Sequence, residues 1–100
     1  MSAKEATKEK TRSLIKEPRQ YNVIMINDDF TTMEFVVMIL VDVFDKDEAT
    51  AEELMMKVHR IGRAVVGTYP YDIAMTRTSK ALDMARMEGF PFRMIVEETE

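Results

Sequence analysis

The sequence predicts an α/β fold of the α+β sandwich kind: one layer of three helices on a three-stranded, mostly antiparallel sheet, in the order β-α-α-β-α-β. Three observations point there. Short β-branched runs recur at both ends and in the middle of the chain, and longer stretches of helical periodicity lie between them. Turn-forming residues separate the pieces: Asn27-Asp28-Asp29, Gly62, Pro70 and Gly89. The length of 100 residues suits one domain with a modest core.

Residues 1–18 are mostly Lys, Glu, Thr and Ser, relieved only by Leu14 and Ile15. Such a segment buries too little apolar surface to offset its ordering entropy, so it reads as a flexible tail ended by Pro18. It is either an inert leader or a docking arm. The folded core is expected over residues 19–100.

Tyr21 to Ile26 (Tyr-Asn-Val-Ile-Met-Ile) is short, apolar and free of Gly and Pro, which predicts a central strand. Asn27-Asp28-Asp29 breaks it, because these side chains compete for backbone hydrogen bonds. A helix follows to about Phe44. Thr31 and Glu34 have the spacing of a capping box. Phe35, Val36, Ile39, Leu40 and Val43 make much of its circumference apolar, so it is expected to be buried on more than one side.

A second helix is predicted over about Asp47 to His59, with acidic residues at its positive end and Gly62 as its terminator. Leu54, Met55 and Val58 form its apolar face. Arg63 to Tyr69 reads as a strand interrupted by Gly67. Pro70 and Asp72 open a third helix over about Tyr71 to Met87. Its inward face of Ala74, Thr78, Ala81, Leu82 and Ala85 predicts close approach to the sheet. Gly89 ends it. Phe92 to Val96 is the last strand, and Glu97 to Glu100 reads as a solvated acidic tail.

Composition narrows the function classes. A net charge of −4 argues against a nucleic-acid partner, which favours a basic face. The absence of cysteine removes disulfides and thiolate chemistry and fits a reducing compartment. No apolar run has the length of a signal peptide core or a membrane helix, so a cytoplasmic chain is expected. Ten methionines suit a surface that must adapt to several apolar shapes, or simply a core filled by a flexible side chain.

The seam after the first strand gathers several oxygen acceptors at one point. His59, the one histidine, is the best distant partner for Asn27, Asp28 and Asp29. Taken singly, an acidic pair in a loop is most often a solvated turn, and a histidine near a helix end most often a cap. If the first two helices pack side by side, however, the start of one meets the end of the other. Met33, Val36, Met55 and Val58 then stand around the same mouth, either as ordinary core or as an apolar socket rimmed by acceptors. A socket of that kind fits a cation beside an apolar group, such as a protein N-terminus with a bulky apolar first residue.

The stretch Asn27-Asp28-Asp29-Phe30-Thr31-Thr32-Met33-Glu34-Phe35-Val36 resembles the Asn-Asp-Asp-Tyr-Thr-Pro-Met-Glu-Phe-Val signature of the ClpS adaptors, which deliver N-degron substrates to the ClpAP protease. A second match is Leu54-Met55-Met56-Lys57-Val58-His59, followed by Gly62, Ala64 and Gly67. The spacing between the two agrees as well, and the resemblance covers Tyr21 to Val96. It implies an adaptor rather than an enzyme, with no cofactor and no metal. Asn27, Asp29 and His59 would contact the substrate α-amino group, and Asp28 would shape the same rim. Met33, Val36, Met55 and Val58 would line the side-chain pocket with Thr31 at its edge, Met33 acting as gatekeeper against β-branched first residues. Phe92 would occupy the position of a smaller aliphatic pocket residue. Asp72 and Arg77 would lie on the surface that docks to the N-domain of the ClpA unfoldase, and the tail before Pro18 would engage that unfoldase during handover. The expected partners are the unfoldase and substrates with a Leu, Phe, Tyr or Trp N-terminus, with no nucleic acid and no membrane, and the chain is expected to be a monomer.

Three residues depart from the family pattern. Thr32 stands for a usual proline, so the helix start loses a fixed φ. Phe30 stands for a tyrosine and lacks its hydroxyl. Phe92 is larger than the usual residue and is expected to narrow the pocket. Two readings from other classes remain. One is a receiver-like or hydrolytic domain that uses Asp28 and Asp29 to hold Mg²⁺ or act with His59; the chain is short for the first and lacks a nucleophile for the second. The other is a purely structural interaction domain, with the socket filled by its own side chains.

Overall fold

The computed structural model describes residues 19–100, so the expected tail lies outside the described residues. Strands β1 (Gln20–Ile26), β2 (Arg63–Pro70) and β3 (Arg93–Glu98) form one sheet in the order β2-β1-β3, antiparallel throughout. Helices α1 (Met33–Asp42), α2 (Glu48–Ile61) and α3 (Tyr71–Glu88) complete the predicted order β-α-α-β-α-β. The most apolar strand, β1, takes the centre, where Val23, Ile24 and Met25 are buried. The register between β1 and β2 shifts after Val23, which faces Gly67 while Ile24 faces Val65. The extra residue, Val66, turns into the core and is 1% exposed.

Helix α3 lies close to the sheet because the residues it buries are small: Ala74, Thr78, Ala81 and Ala85, with Leu82 only half-buried. Helix α1 buries Phe35, Val36, Ile39 and Leu40. The Phe35 ring meets Phe90 and Phe92 edge-on, at centroid distances of 5.0 and 5.9 Å. Helix α1 packs against α2.

The helix ends differ instructively from expectation. The N-cap of α1 is Thr32, whose hydroxyl oxygen accepts from the Phe35 N–H at 3.1 Å. Thr31, the cap expected from its spacing to Glu34, instead donates its hydroxyl to Asp28. Thr32 thus supplies by hydrogen bonding some of the order that a proline would supply by its ring. The helix stops at Asp42, two residues before Phe44, and Asp45 takes a left-handed φ of 55° in the loop that follows. Helix α2 is capped by Asp47 and runs to Ile61, ending at Gly62 with φ 102°. The acidic C-terminus is not simply solvated. Strand β3 pairs along β1 as far as Glu98, Glu98 lies 2.9 Å from Arg19, and both the N–H and the hydroxyl of Thr99 donate to the Gln20 carbonyl. Replacing the α1 cap by Thr32→Ala removes one satisfied N–H and lowers unfolding stability by about 1 kcal/mol, measurable by denaturant titration.

A cavity between the end of β1 and two helices

The β1–β2 ladder closes at Ile26 opposite Arg63. The next backbone donor, Asn27 N–H, bonds the Gly62 carbonyl at 2.9 Å. Since Gly62 caps α2, this bond holds Asn27 beside the turn of α2 that carries His59. The chain then doubles back at Asp28. Its Oδ1 accepts from the N–H groups of Phe30 and Thr31, each at 2.8 Å, and its Oδ2 accepts from the Thr31 hydroxyl at 2.7 Å. This Asx-type turn leaves Asp29 exposed at its apex.

Partial burial of the Asp28 carboxyl is the largest single influence on it and raises its pKa. The bonds from the Thr31 hydroxyl, the Thr31 N–H and the Phe30 N–H, with the nearby charge of Arg93, together outweigh it. The pKa therefore falls below the ordinary 3.8. Asp28 is thus an anion committed to shaping the loop.

Around this loop lies a cavity of about 400 Å³. Asn27, Asp28, Asp29, Thr31 and His59 give its polar side. Met33 and Val36 of α1 and Met55 and Val58 of α2 give its apolar side. Val36 and Val58 are buried at its base, whereas Met33 is 43% exposed at its mouth. Val58 and His59 bring the last turn of α2 to the cavity. Polar residues, two of them acidic, thus share this cavity with apolar side chains of both helices, a composition suited to a cation with an attached apolar group.

Nine of the ten rim and pocket positions expected from sequence line this cavity. The tenth, Phe92, does not; its ring is buried against Phe35. Phe30 and Thr32 also line the cavity, the former 73% exposed. Both belong to the signature stretch, at the positions where this sequence departs from the family's tyrosine and proline. Asp72 and Arg77 lie on α3, outside the cavity. Asp72 is exposed, while the Arg77 guanidinium is 3.0 Å from the Asp45 carboxylate, bonds the Val43 carbonyl at 3.3 Å and lies over the Tyr69 ring.

Residues 16–95 match the sequence model of the family described as ATP-dependent Clp protease adaptor protein ClpS. The chain belongs to the ClpS family. ClpS adapter proteins of Paraburkholderia xenovorans and Burkholderia cenocepacia are 47% and 46% identical to it over 90 residues, covering 90% of this chain and 86% of theirs. A solved structure of Agrobacterium tumefaciens ClpS2 bound to L-phenylalaninamide superposes with a TM-score of 0.80 at 40% identity, covering 83% of this chain and all of that one. The antiparallel sheet and its three helices are thus the architecture shared with a ClpS relative.

The turn at Asp28 carries a pH prediction. A carboxyl whose folded pKa is depressed adds stability that is complete above its unfolded pKa, about 3.9, and is lost as pH falls through the folded value. Wild-type thermal stability is therefore expected to drop below about pH 4. Asp28→Asn removes this group's share of that drop, a difference readable by melting between pH 5 and pH 2.

Proposed function

We propose that this adaptor binds the amino ends of proteins whose first residue is bulky and apolar (Leu, Phe, Tyr or Trp) and hands them to a ClpA-type unfoldase of the ClpAP protease. The observation that carries the reading is the two-sided cavity: acceptors from Asn27, Asp29 and His59 on one wall, Met33, Val36, Met55 and Val58 on the other. Its size, about 400 Å³, lies at the small end of ligand pockets, which run from roughly 300 to 1,000 Å³. That suits one side chain with its amine. The Agrobacterium relative bound to L-phenylalaninamide supports the reading, since that ligand joins a free α-amine to one aromatic side chain.

In this reading Asn27, Asp29 and His59 accept from the ammonium group, and Asp28 holds the loop that presents them. Thr31 fixes Asp28 and edges the pocket. The methionines adapt to different first side chains because their thioethers are flexible and polarizable. Burying a Leu or Phe side chain contributes about 1.5–3 kcal/mol. Each hydrogen bond to the charged amine contributes about 1.5–3 kcal/mol when its acceptor is held in place. Association costs at least about 4 kcal/mol. Neither half of the ligand suffices alone; with three such hydrogen bonds the upper ends of these ranges bring affinity to about the micromolar scale.

Delivery is assigned to surfaces away from the cavity. Asp72, exposed at the start of α3, and Arg77 are proposed to face the unfoldase N-domain, with residues 1–18 as the arm used in handover. Handover of this kind belongs in the bacterial cytoplasm and needs neither catalysis nor a cofactor from this chain. The Mg²⁺ reading is disfavoured by Asp28, whose oxygens are already engaged by three donors.

Fluorescence anisotropy with free-amine peptides differing only in residue one tests this function. Leu, Phe, Tyr and Trp starts are expected to bind, and Arg, Ile and Val starts to bind weakly. His59→Ala lowers affinity about tenfold, the loss of one hydrogen bond to the amine. Its melting temperature stays that of wild type because His59 is exposed. Met33→Ala opens the mouth and admits Ile and Val. A panel in which no first residue is preferred contradicts the reading.

A further inference from the structure

The chain holds ten methionines and no cysteine, so thioethers are its only oxidisable sulfur. Four of them gather at the seam of α1 and α2. Met33 and Met55 line the amine cavity, and the same two line a hollow on the outer side of the helix pair together with Met38 and Met56. Met33 is the most open of the four: it is 43% exposed, while Met38, Met55 and Met56 are half-buried. Among the other described methionines, Met75 and Met87 are 41% and 87% exposed on α3, outside the cavity. Met25 and Met94 are buried in the sheet, where an oxidant does not reach them while the chain is folded.

We propose that Met33 is a modification site: hydrogen peroxide converts its thioether to the sulfoxide, and this reversibly weakens the capture of apolar first residues. The proposal rests on the amine-binding function above and adds a regulation of that same site. The sulfur lone pair attacks one peroxide oxygen. The O–O bond breaks as the S–O bond forms, and the departing hydroxide takes the proton left on the transferred oxygen and becomes water. Sulfur gives up two electrons and the peroxide accepts them. A dithiol reductant reverses the step, ending as a disulfide while the oxygen leaves as water. The consequence follows from where Met33 stands. With the cavity open, its sulfoxide oxygen lies at the mouth in water, so the fold barely feels it. A bulky first side chain seated against it strips that water and sets an apolar group against a strong dipole. A polar group buried without a partner is costly, so the penalty falls on binding and not on folding. Met55 lines the same wall but is half-buried, and reacts after Met33. The soft, adaptable sulfur that suits several apolar shapes is thus also the atom that an oxidant finds first.

The test treats the full chain with hydrogen peroxide, maps each sulfoxide by mass spectrometry and measures L-phenylalaninamide binding by calorimetry. Sulfoxide is expected first at Met33, Met75 and Met87 and not at Met25. Saturating L-phenylalaninamide slows the reaction at Met33 and leaves Met75 and Met87 as they were. Once Met33 is converted, affinity for L-phenylalaninamide falls at least about tenfold while the melting temperature holds. Methionine sulfoxide reductases with dithiothreitol restore the affinity. Met33→Leu has its own starting affinity and is expected to keep it through the peroxide dose that converts Met33 in the wild type. Met75→Leu/Met87→Leu loses affinity on treatment as the wild type does. Unchanged affinity in a chain whose Met33 is sulfoxide, or an equal loss in Met33→Leu, overturns the modification site and leaves the amine cavity standing. A melting temperature that falls together with affinity shows damage to the fold and overturns it as well. Failure of the untreated wild-type chain to bind L-phenylalaninamide overturns the proposed function and the modification site with it.

Discussion

The site depends on one carboxylate. Asp28 takes hydrogen bonds from two backbone N–H groups and one hydroxyl within three residues of itself, and so converts a polar run between two apolar elements into a turn of defined shape. That turn determines where Asn27 and Asp29 stand, frees Thr32 to cap α1, and sets Met33 at the mouth of the cavity. Charge-assisted bonds of this kind are stronger than neutral ones, and the depressed pKa of Asp28 reflects them. A carboxylate used in this way shapes the site more than it binds the ligand.

The second constraint is the packing of α1 beside α2. It brings a strand end, a helix start and a helix end to one point, and the Asn27–Gly62 bond carries the sheet ladder across to the α2 terminus. Polar atoms converge on one side because chain ends converge there; apolar atoms line the other because both helices turn their inner faces to it. The division of the cavity into a polar and an apolar wall is thus a consequence of the topology. It needs no residue in a strained conformation, since the one non-glycine residue with positive φ among those described is Asp45, in the loop at the other end of α1.

Much of this was legible in the sequence because it rests on local chemistry. Hydrophobic periods located all six elements, and Gly62 and Gly89 marked helix ends where the backbone takes a left-handed φ. The polar seam and His59 could be joined once the two helices were taken as neighbours. The failures came where a local rule met a competing partner. Thr31 had the spacing of a cap, but it turns its hydroxyl to Asp28 in the loop and the next residue, Thr32, caps α1. Glu98 looked like solvated tail because nothing in its own neighbourhood announces the pairing across to Tyr21 and Arg19. The hollow beside the cavity has no sequence signature at all, because it exists only as the space between two helices.

The central claim is that charge and side chain are read together. The most direct test is calorimetry of L-phenylalaninamide against N-acetyl-L-phenylalaninamide, which keep the same side chain and differ at the amine. Acetylation removes the positive charge and, in the proposed binding mode, would leave the Asp29 carboxylate facing a neutral amide. The account predicts measurable binding of the free amine and a loss of at least about a hundredfold on acetylation, the worth of one to two charge-assisted hydrogen bonds. Equal affinity for the two compounds would mean that the apolar wall alone holds the ligand, and would contradict the account.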